Sequence, residues 1–340
     1  MIVEPTPAQD RPVAPKKSAL LRILSSRAFM LTISLAFTIL AVWLVIRNVN
    51  KSEILDVMRR MPAGPFAISF LYLIAAAIFR GLRLHALMRK TRSNLRAAME
   101  MVVIGYFFFT ILPLRAGELV RIGYFARRTG APALSVATAA VVERAMDLIV
   151  LAMAAALLLS GVMGRAFPQL PVPPWAFGVA AVIGVLVAAV LGIAARRRIA
   201  AGKVESHNRL ARHIDEVVRG LAALGSGKDA ILALGLSVAV WIMVALSFRE
   251  VFHAINMDLP LADASVIMLG TCFAIALPSA PGFIGTFDLG FVAAALLVGI
   301  PREISLPVGL MLHLTSQLGF LPIGGLVLFT GGRKALARKP

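Results

Sequence analysis

Two apolar stretches are broken at their centres by proline and glycine, and this restricts the possible folds more than any other feature. Residues 97–129 are interrupted by Leu112-Pro113-Leu114-Arg115-Ala116-Gly117-Glu118, and residues 262–300 by Leu277-Pro278-Ser279-Ala280-Pro281-Gly282-Phe283-Ile284-Gly285. Each arm is about 12–16 residues long, so it reaches about 18–24 Å and falls short of the roughly 30 Å hydrocarbon layer. Proline and glycine at the break remove helix hydrogen bonds. Backbone left unpaired at membrane depth survives only inside protein or beside a water-filled cavity. The pattern predicts two re-entrant helical hairpins.

Six other segments are long and apolar enough to cross: 28–46, 65–84, 133–160, 174–195, 229–250 and 305–330. The composition agrees. The chain is 59% hydrophobic and 15% charged, against about 25% charged in soluble domains, which excludes a soluble enzyme, a disordered chain and a collagen-like fibre. The first apolar run is too long for a signal-peptide core and lacks a small-x-small cleavage site, so it reads as a retained span.

The formal net charge of +18 invites a nucleic-acid reading, but in a membrane chain basic residues gather in cytoplasmic loops. With the N-terminus inside, six crossings, and both hairpins returning to their own side, 27 of the 35 basic residues fall inside and 7 outside. That asymmetry fits the positive-inside rule. The expected organisation is an all-α polytopic membrane protein. A basic segment 1–27, a first membrane repeat 28–160, an external loop 161–173, a second repeat 174–330 and a basic tail 331–340 follow in order, with both termini cytoplasmic in a bacterial inner membrane.

An internal echo supports two halves. Gly105 to Pro113 aligns with Gly270 to Pro278 at an offset of 165 residues, and Gly117 and Gly282 keep that offset. Phe79-Arg80 is echoed by Phe248-Arg249. Such matches are common among membrane helices. They gain weight because both halves read helix, helix, broken hairpin, helix. With the hairpins entering from opposite sides the halves are inverted, which is a transporter plan with the substrate site at the repeat interface.

Ionisable groups at membrane depth are costly and point to function. Arg115, Gly117, Glu118 and Arg121 stand at the first break. Arginine offers a planar fork for phosphate or carboxylate, and the backbone amides after Gly117 add an anion-favouring helix end. The alternative is an Arg–Glu lock that satisfies the hairpin. Glu143, Arg144 and Asp147 lie on the next helix, with Glu143 and Asp147 four apart on one face. They fit a pairing with Arg115 or Arg121, a coupling proton, or a structural ion network. At the second break, Pro281, Gly282, Gly285 and Asp288 combine close backbone approach with one acid. Arg80, Arg83 and Arg249 are secondary candidates, and snorkelling to the interface is their plainer reading. His313 and Gln317, four apart, read as hydrogen-bonding between helices.

Several chemistries fall away. Gly225-Ser226-Gly227-Lys228 lacks the Walker spacing, His207 and His213 have no metal partner, and there is no G-x-S-x-G. Cys272 is the single cysteine, so neither an intramolecular disulfide nor a Cys-based zinc site is available. No cofactor or metal is expected. Residues 196–228 alternate charge and apolar side chains, as a surface helix on an anionic leaflet does.

Leu112-Pro-Leu-Arg-Ala-Gly-Glu-Leu-Val-Arg121 followed by Val142-Glu-Arg-Ala-Met-Asp147 resembles the transmembrane region of lysylphosphatidylglycerol synthases, a flippase-like family. Pro278 to Asp288 resembles that family's second signature, with Pro281-Gly282 and Asp288 where Gly-Gly and Glu are frequent. The resemblance covers about residues 20–330. It implies handling of membrane lipids with anionic head groups: phospholipid, polyprenyl-phosphate-linked or hopanoid-type. No aminoacyl-transferase domain follows within these residues, so it does not imply synthase activity. The expected protein is a non-enzymatic, flippase-like lipid transporter. A lipid-presenting partner of a separate transferase, a membrane-embedded transferase and a small-solute transporter are the alternatives.

Overall fold

A computed structural model describes residues 27–47, 51–89, 94–112, 116–166, 227–277 and 279–332. The expected span 174–195, the surface helix proposed for 196–228 up to residue 226, and the tail from residue 333 lie outside them, as does Arg115. The described residues are mainly helical, and no strand occurs among them. Ten α-helices follow in order: α1 Arg27–Ile46, α2 Lys51–Arg60, α3 Ala63–Leu87, α4 Leu95–Ile111, α5 Gly117–Thr129, α6 Ala133–Ala166, α7 Gly227–Glu250, α8 Leu261–Ile275, α9 Thr286–Leu297 and α10 Arg302–Val327. Among the described residues, three helical stretches, Ala63–Leu87, Lys228–Ile255 and Arg302–Thr330, are long and apolar enough to cross a membrane. The short amphipathic α2 was not anticipated from the sequence. It is a ten-residue helix in a segment expected only as a connecting loop.

The broken stretches are pairs of short helices, as their proline and glycine require. Helices α4 and α5 have 17 and 13 residues, and α8 and α9 have 15 and 12. Local signals set their ends. The Asn94 side chain accepts a hydrogen bond from Ala97 N at 2.7 Å and starts α4. Gly130, at φ 71°, closes α5 in the left-handed conformation. Asp288 reaches back to accept from Gly285 N at 3.1 Å and caps α9.

Each pair is an antiparallel hairpin. Gly105 lies against Arg121 while Gly117 lies against Phe109, so the contacts run in opposite order along α4 and α5. The second pair closes more tightly still, with Gly270 against Ala294 and Gly290 against Ala274 and Thr271. Small residues at these crossings let the backbones approach, which is how helices gain packing energy where lipid offers no hydrophobic driving force.

Helices α3 and α7 form the central pair. Ser69 meets Ser247 at 2.8 Å, Arg83 Nη1 donates to Ser237 Oγ at 2.9 Å, and Arg89 meets Asp229 at 2.9 Å. This order makes them antiparallel. Around them, α10 packs on both α3 and α4, and α9 packs on α1 and α10. The main apolar core joins α7, α8, α9 and α10 through Phe248, Phe252, Ile267, Phe291 and Leu312.

The closeness of the first hairpin generates a stability prediction. A Cβ on Gly117 would stand 2.8 Å from Phe109 N and 2.9 Å from Phe108 C, and backbone atoms cannot turn aside. Gly117→Ala should cost about 1–3 kcal/mol through overpacking. Gly123→Ala, with nothing within 4 Å, should leave stability unchanged or raise it slightly. Thermal unfolding of both purified variants in one detergent checks the contrast.

Candidate functional site

Two turns of α3 place Arg80 and Arg83 beside α7. The middle of α6 brings Glu143, Arg144 and Asp147 to the same level, and the first turns of α5 add Glu118 and Arg121. Arg83 is 1% exposed, so its charge survives only through partners. Its Nη1 donates to Asp147 Oδ1 at 2.6 Å, and its Nε donates to Glu143 Oε1 at 3.4 Å. Arg121 donates to Glu118 and, at 3.4 Å, to Glu143 Oε2. Arg144 closes the circuit with Asp147 Oδ2 at 3.3 Å and Glu118 Oε2 at 3.5 Å. Trp241 Nε1 on α7 donates to Asp147 Oδ1 at 3.1 Å.

In this network three guanidiniums, of Arg83, Arg121 and Arg144, face three carboxylates, of Glu118, Glu143 and Asp147. Its formal charge is zero. Arg80 makes none of these pairs, although its charge acts on Asp147 from beyond ion-pair distance. Its guanidinium lies 5.4 Å over the Trp241 ring, and its Nε is buried with no hydrogen-bond partner among the described residues. The surplus cation lines a cavity of about 270 Å³, whose wall Glu118 and Arg144 share. The other walls are largely apolar, with Phe248, Phe283, Phe287 and Phe320.

The far side of the cavity is where the two hairpins meet. Thr110, near the end of α4, donates to Gln317 Oε1 at 2.6 Å, and Gln317 Nε2 donates to Gly282 O at 3.0 Å. His313 Nε2 lies 2.7 Å from the same carbonyl, and its Nδ1 is 3.1 Å from Asp288 Oδ1. Pro281 opens the turn, while Gly282 and Gly285 take φ of 66° and 79°. A Cβ at Gly285 would also strike Val42 of α1 at 2.8 Å.

The sequence candidates therefore separate. Glu118, Arg121, Glu143, Arg144 and Asp147 come together in one network with Arg83, and Arg80 stands beside it on the cavity wall. Arg83 does not snorkel to an interface. Two carboxylates and Ser237 hold it inside, which overturns that reading. Gly117 serves the close crossing of the hairpin arms. Pro281, Gly282, Gly285 and Asp288 shape the other hairpin's tip. Arg249 is elsewhere: it pairs with Asp258 at 2.7 Å and bonds Leu259 O at 3.0 Å in the following loop. That hydrogen bond from Arg249 holds the Asp258 carboxyl below the usual carboxylate range. The pair stabilises the loop above the ordinary aspartate range, and the contribution fades as pH falls through the lowered value. His313 and Gln317 bond between helices as expected. Sequence reasoning missed Ser237, Trp241 and Thr110. The first two are four apart in an otherwise apolar helix, a polar stripe that could have flagged them.

Residues 31–324 match the family described as the lysylphosphatidylglycerol synthase TM region. The chain belongs to that family. No curated protein matches it. Membership makes this a membrane protein consistent with a lipid-related role, and it places both hairpins and the ion network inside the family region.

Removing Arg83 leaves two buried carboxylates short of a partner. Arg83→Ala should destabilise the protein by about 3–5 kcal/mol, whereas Arg59→Ala, from an exposed pair at 3.9 Å, should change the Tm little. Parallel thermal melts of the two variants check it.

Proposed function

We propose that this protein is a flippase-like lipid transporter that holds one anionic head group at Arg80, in the cavity between the two hairpins. The observation that carries the reading is the surplus cation. The neighbouring guanidiniums are matched to carboxylates, while Arg80 faces the cavity with no carboxylate paired to it among the described residues. A phosphate or carboxylate there completes the charge balance, and arginine suits either by geometry. The aromatic and aliphatic walls suit the first carbons of a lipid chain. Arg144, half-exposed on the cavity wall, assists.

The architecture carries the transport step. The order long, short, short, long occurs in α3 to α6 and again in α7 to α10. With α3 and α7 antiparallel, this supports two inverted halves, each with a re-entrant hairpin. Basic loops put both termini in the cytoplasm. The ion network ties the first hairpin to α3 and α6. The Gln317 bridge between hairpin tips is the contact that parts when one half rocks against the other. No bond is made or broken in the lipid.

Mass spectrometry of lipids that co-purify with the full chain tests the head-group site. Wild type should enrich an anionic lipid over bulk membrane, and Arg80→Ala should reduce that enrichment about tenfold or more, the scale of a charged hydrogen bond. Arg59→Ala should keep it. Equal enrichment in Arg80→Ala would remove Arg80 from the site. No enrichment in any sample would favour a small solute or a partner-dependent role.

A further inference from the structure

A fourth arginine beside three carboxylates should be drawn into their network, yet Arg80 is not. The reason lies in how Asp147 is occupied. A carboxylate offers about four lone-pair positions to donors. On Asp147, Oδ1 accepts from Arg83 Nη1 at 2.6 Å and from Trp241 Nε1 at 3.1 Å. Oδ2 accepts from Arg83 Nη2 at 3.4 Å and from Arg144 Nη1 at 3.3 Å. All four positions are filled, and Glu118 is held in turn by Arg121 and Arg144. Trp241 is the neutral donor of the set on Asp147. An indole only donates, so it closes an acceptor position without adding charge.

The same side chain meets Arg80 on its face. The Arg80 guanidinium carbon lies 5.4 Å from the centre of the Trp241 ring, within the reach of a cation–π contact, for which tryptophan is the best partner. Trp241 and Arg80 both line the cavity. Packing alone would explain an apolar ring against the main core, but packing does not require a ring whose N–H is bonded to a carboxylate. That bond fixes the tilt of the indole, and the tilt sets where a cation can lie over it.

We propose that Trp241 is the positioning residue of the head-group site. Its N–H occupies Asp147 and keeps Arg80 out of the ion network, while its ring face holds the Arg80 guanidinium over the cavity. The inference rests on the reading of Arg80 as the ligand of the anionic head group. It also places the site across two helices, with the cation on α3 and its support on α7. Trp241→Phe keeps a ring but opens one acceptor position on Asp147. Arg80 then turns to that carboxylate and is no longer offered to the anion.

Two measurements on the full chain test this. In the first, phosphatidylglycerol is titrated into wild type, Arg80→Ala, Trp241→Phe and the double variant in one detergent, and bound lipid is read by native mass spectrometry. Each single variant should bind about tenfold or more weakly, the scale of a lost charged hydrogen bond. The double variant should match Arg80→Ala within about twofold, because Trp241 acts through Arg80. Wild-type binding by Trp241→Phe, or losses that multiply in the double variant, overturns the proposal.

The second measurement uses no head-group probe and no substitution at Trp241. The chain has three tryptophans, and Trp43→Phe with Trp175→Phe leaves the emission of Trp241 alone. In vesicles of phosphatidylcholine, adding Arg80→Met should shift that emission, because the charge over the ring is gone. An unchanged spectrum overturns the proposal. Equal binding of phosphatidylglycerol by wild type and Arg80→Ala would instead remove the head-group reading, and the emission would still decide whether Trp241 holds Arg80.

Discussion

Burying a guanidinium in apolar surroundings costs several kcal/mol unless its charge is met, and this chain buries more than one at a single level. Arg83 is therefore the fixed point of the structure. It belongs to α3, its carboxylate partners belong to α6, and its Ser237 contact belongs to α7. Helices far apart in sequence are brought to one point by the need to neutralise it. Glu143 then extends the constraint to Arg121, and so fixes the first hairpin against α6. Neutrality of the inner network also gives Arg80 its character. A fourth arginine beside a balanced set of three pairs is a positive charge facing an apolar cavity.

Backbone satisfaction governs the other side of the cavity. The turn between α8 and α9 cannot draw on helix hydrogen bonds, so side chains supply them. Thr38 of α1 accepts from Ala280 N at 2.9 Å, Asp288 accepts from Gly285 N, and His313 and Gln317 converge on the Gly282 carbonyl. These bonds come from three helices, and one of them passes through Gln317 to Thr110 of the other hairpin. The second hairpin is thus held by contacts that a modest rearrangement can exchange, whereas the first is held by ion pairs. The proposed transport path has one rigid wall and one wall held by replaceable hydrogen bonds.

The sequence made the hairpins legible because proline and glycine interrupt apolar runs too short to cross. The observed helices Leu95–Ile111, Gly117–Thr129, Leu261–Ile275 and Thr286–Leu297 follow those breaks closely. The ionic residues of α5 and α6 were legible for a similar reason, since charge inside an apolar helix is rare. Arg83 was misread because a basic residue near the end of a span looks the same whether it reaches outward to water or inward to carboxylates. Only the position of α6 decides between them, and that is a tertiary fact. The part played by Trp241 was hidden because an indole in an apolar helix passes for packing, and its donor becomes informative only once Asp147 lies 3.1 Å away. The pairing of His313 with Asp288 spans 25 residues and depends on the fold of the turn between them.

The central claim is that Arg80 binds the anionic group of a lipid inside the cavity, and a structure of the full chain in nanodiscs of phosphatidylglycerol tests it most directly. The account predicts a phosphate at about 3 Å from the Arg80 guanidinium, within hydrogen-bond reach, with its chains against the aromatic wall. It also predicts an intact set of pairs among Arg83, Arg121, Arg144 and their carboxylates. A cavity holding no lipid, or a head group bound to Arg121 after that arginine has left Glu143, would contradict it.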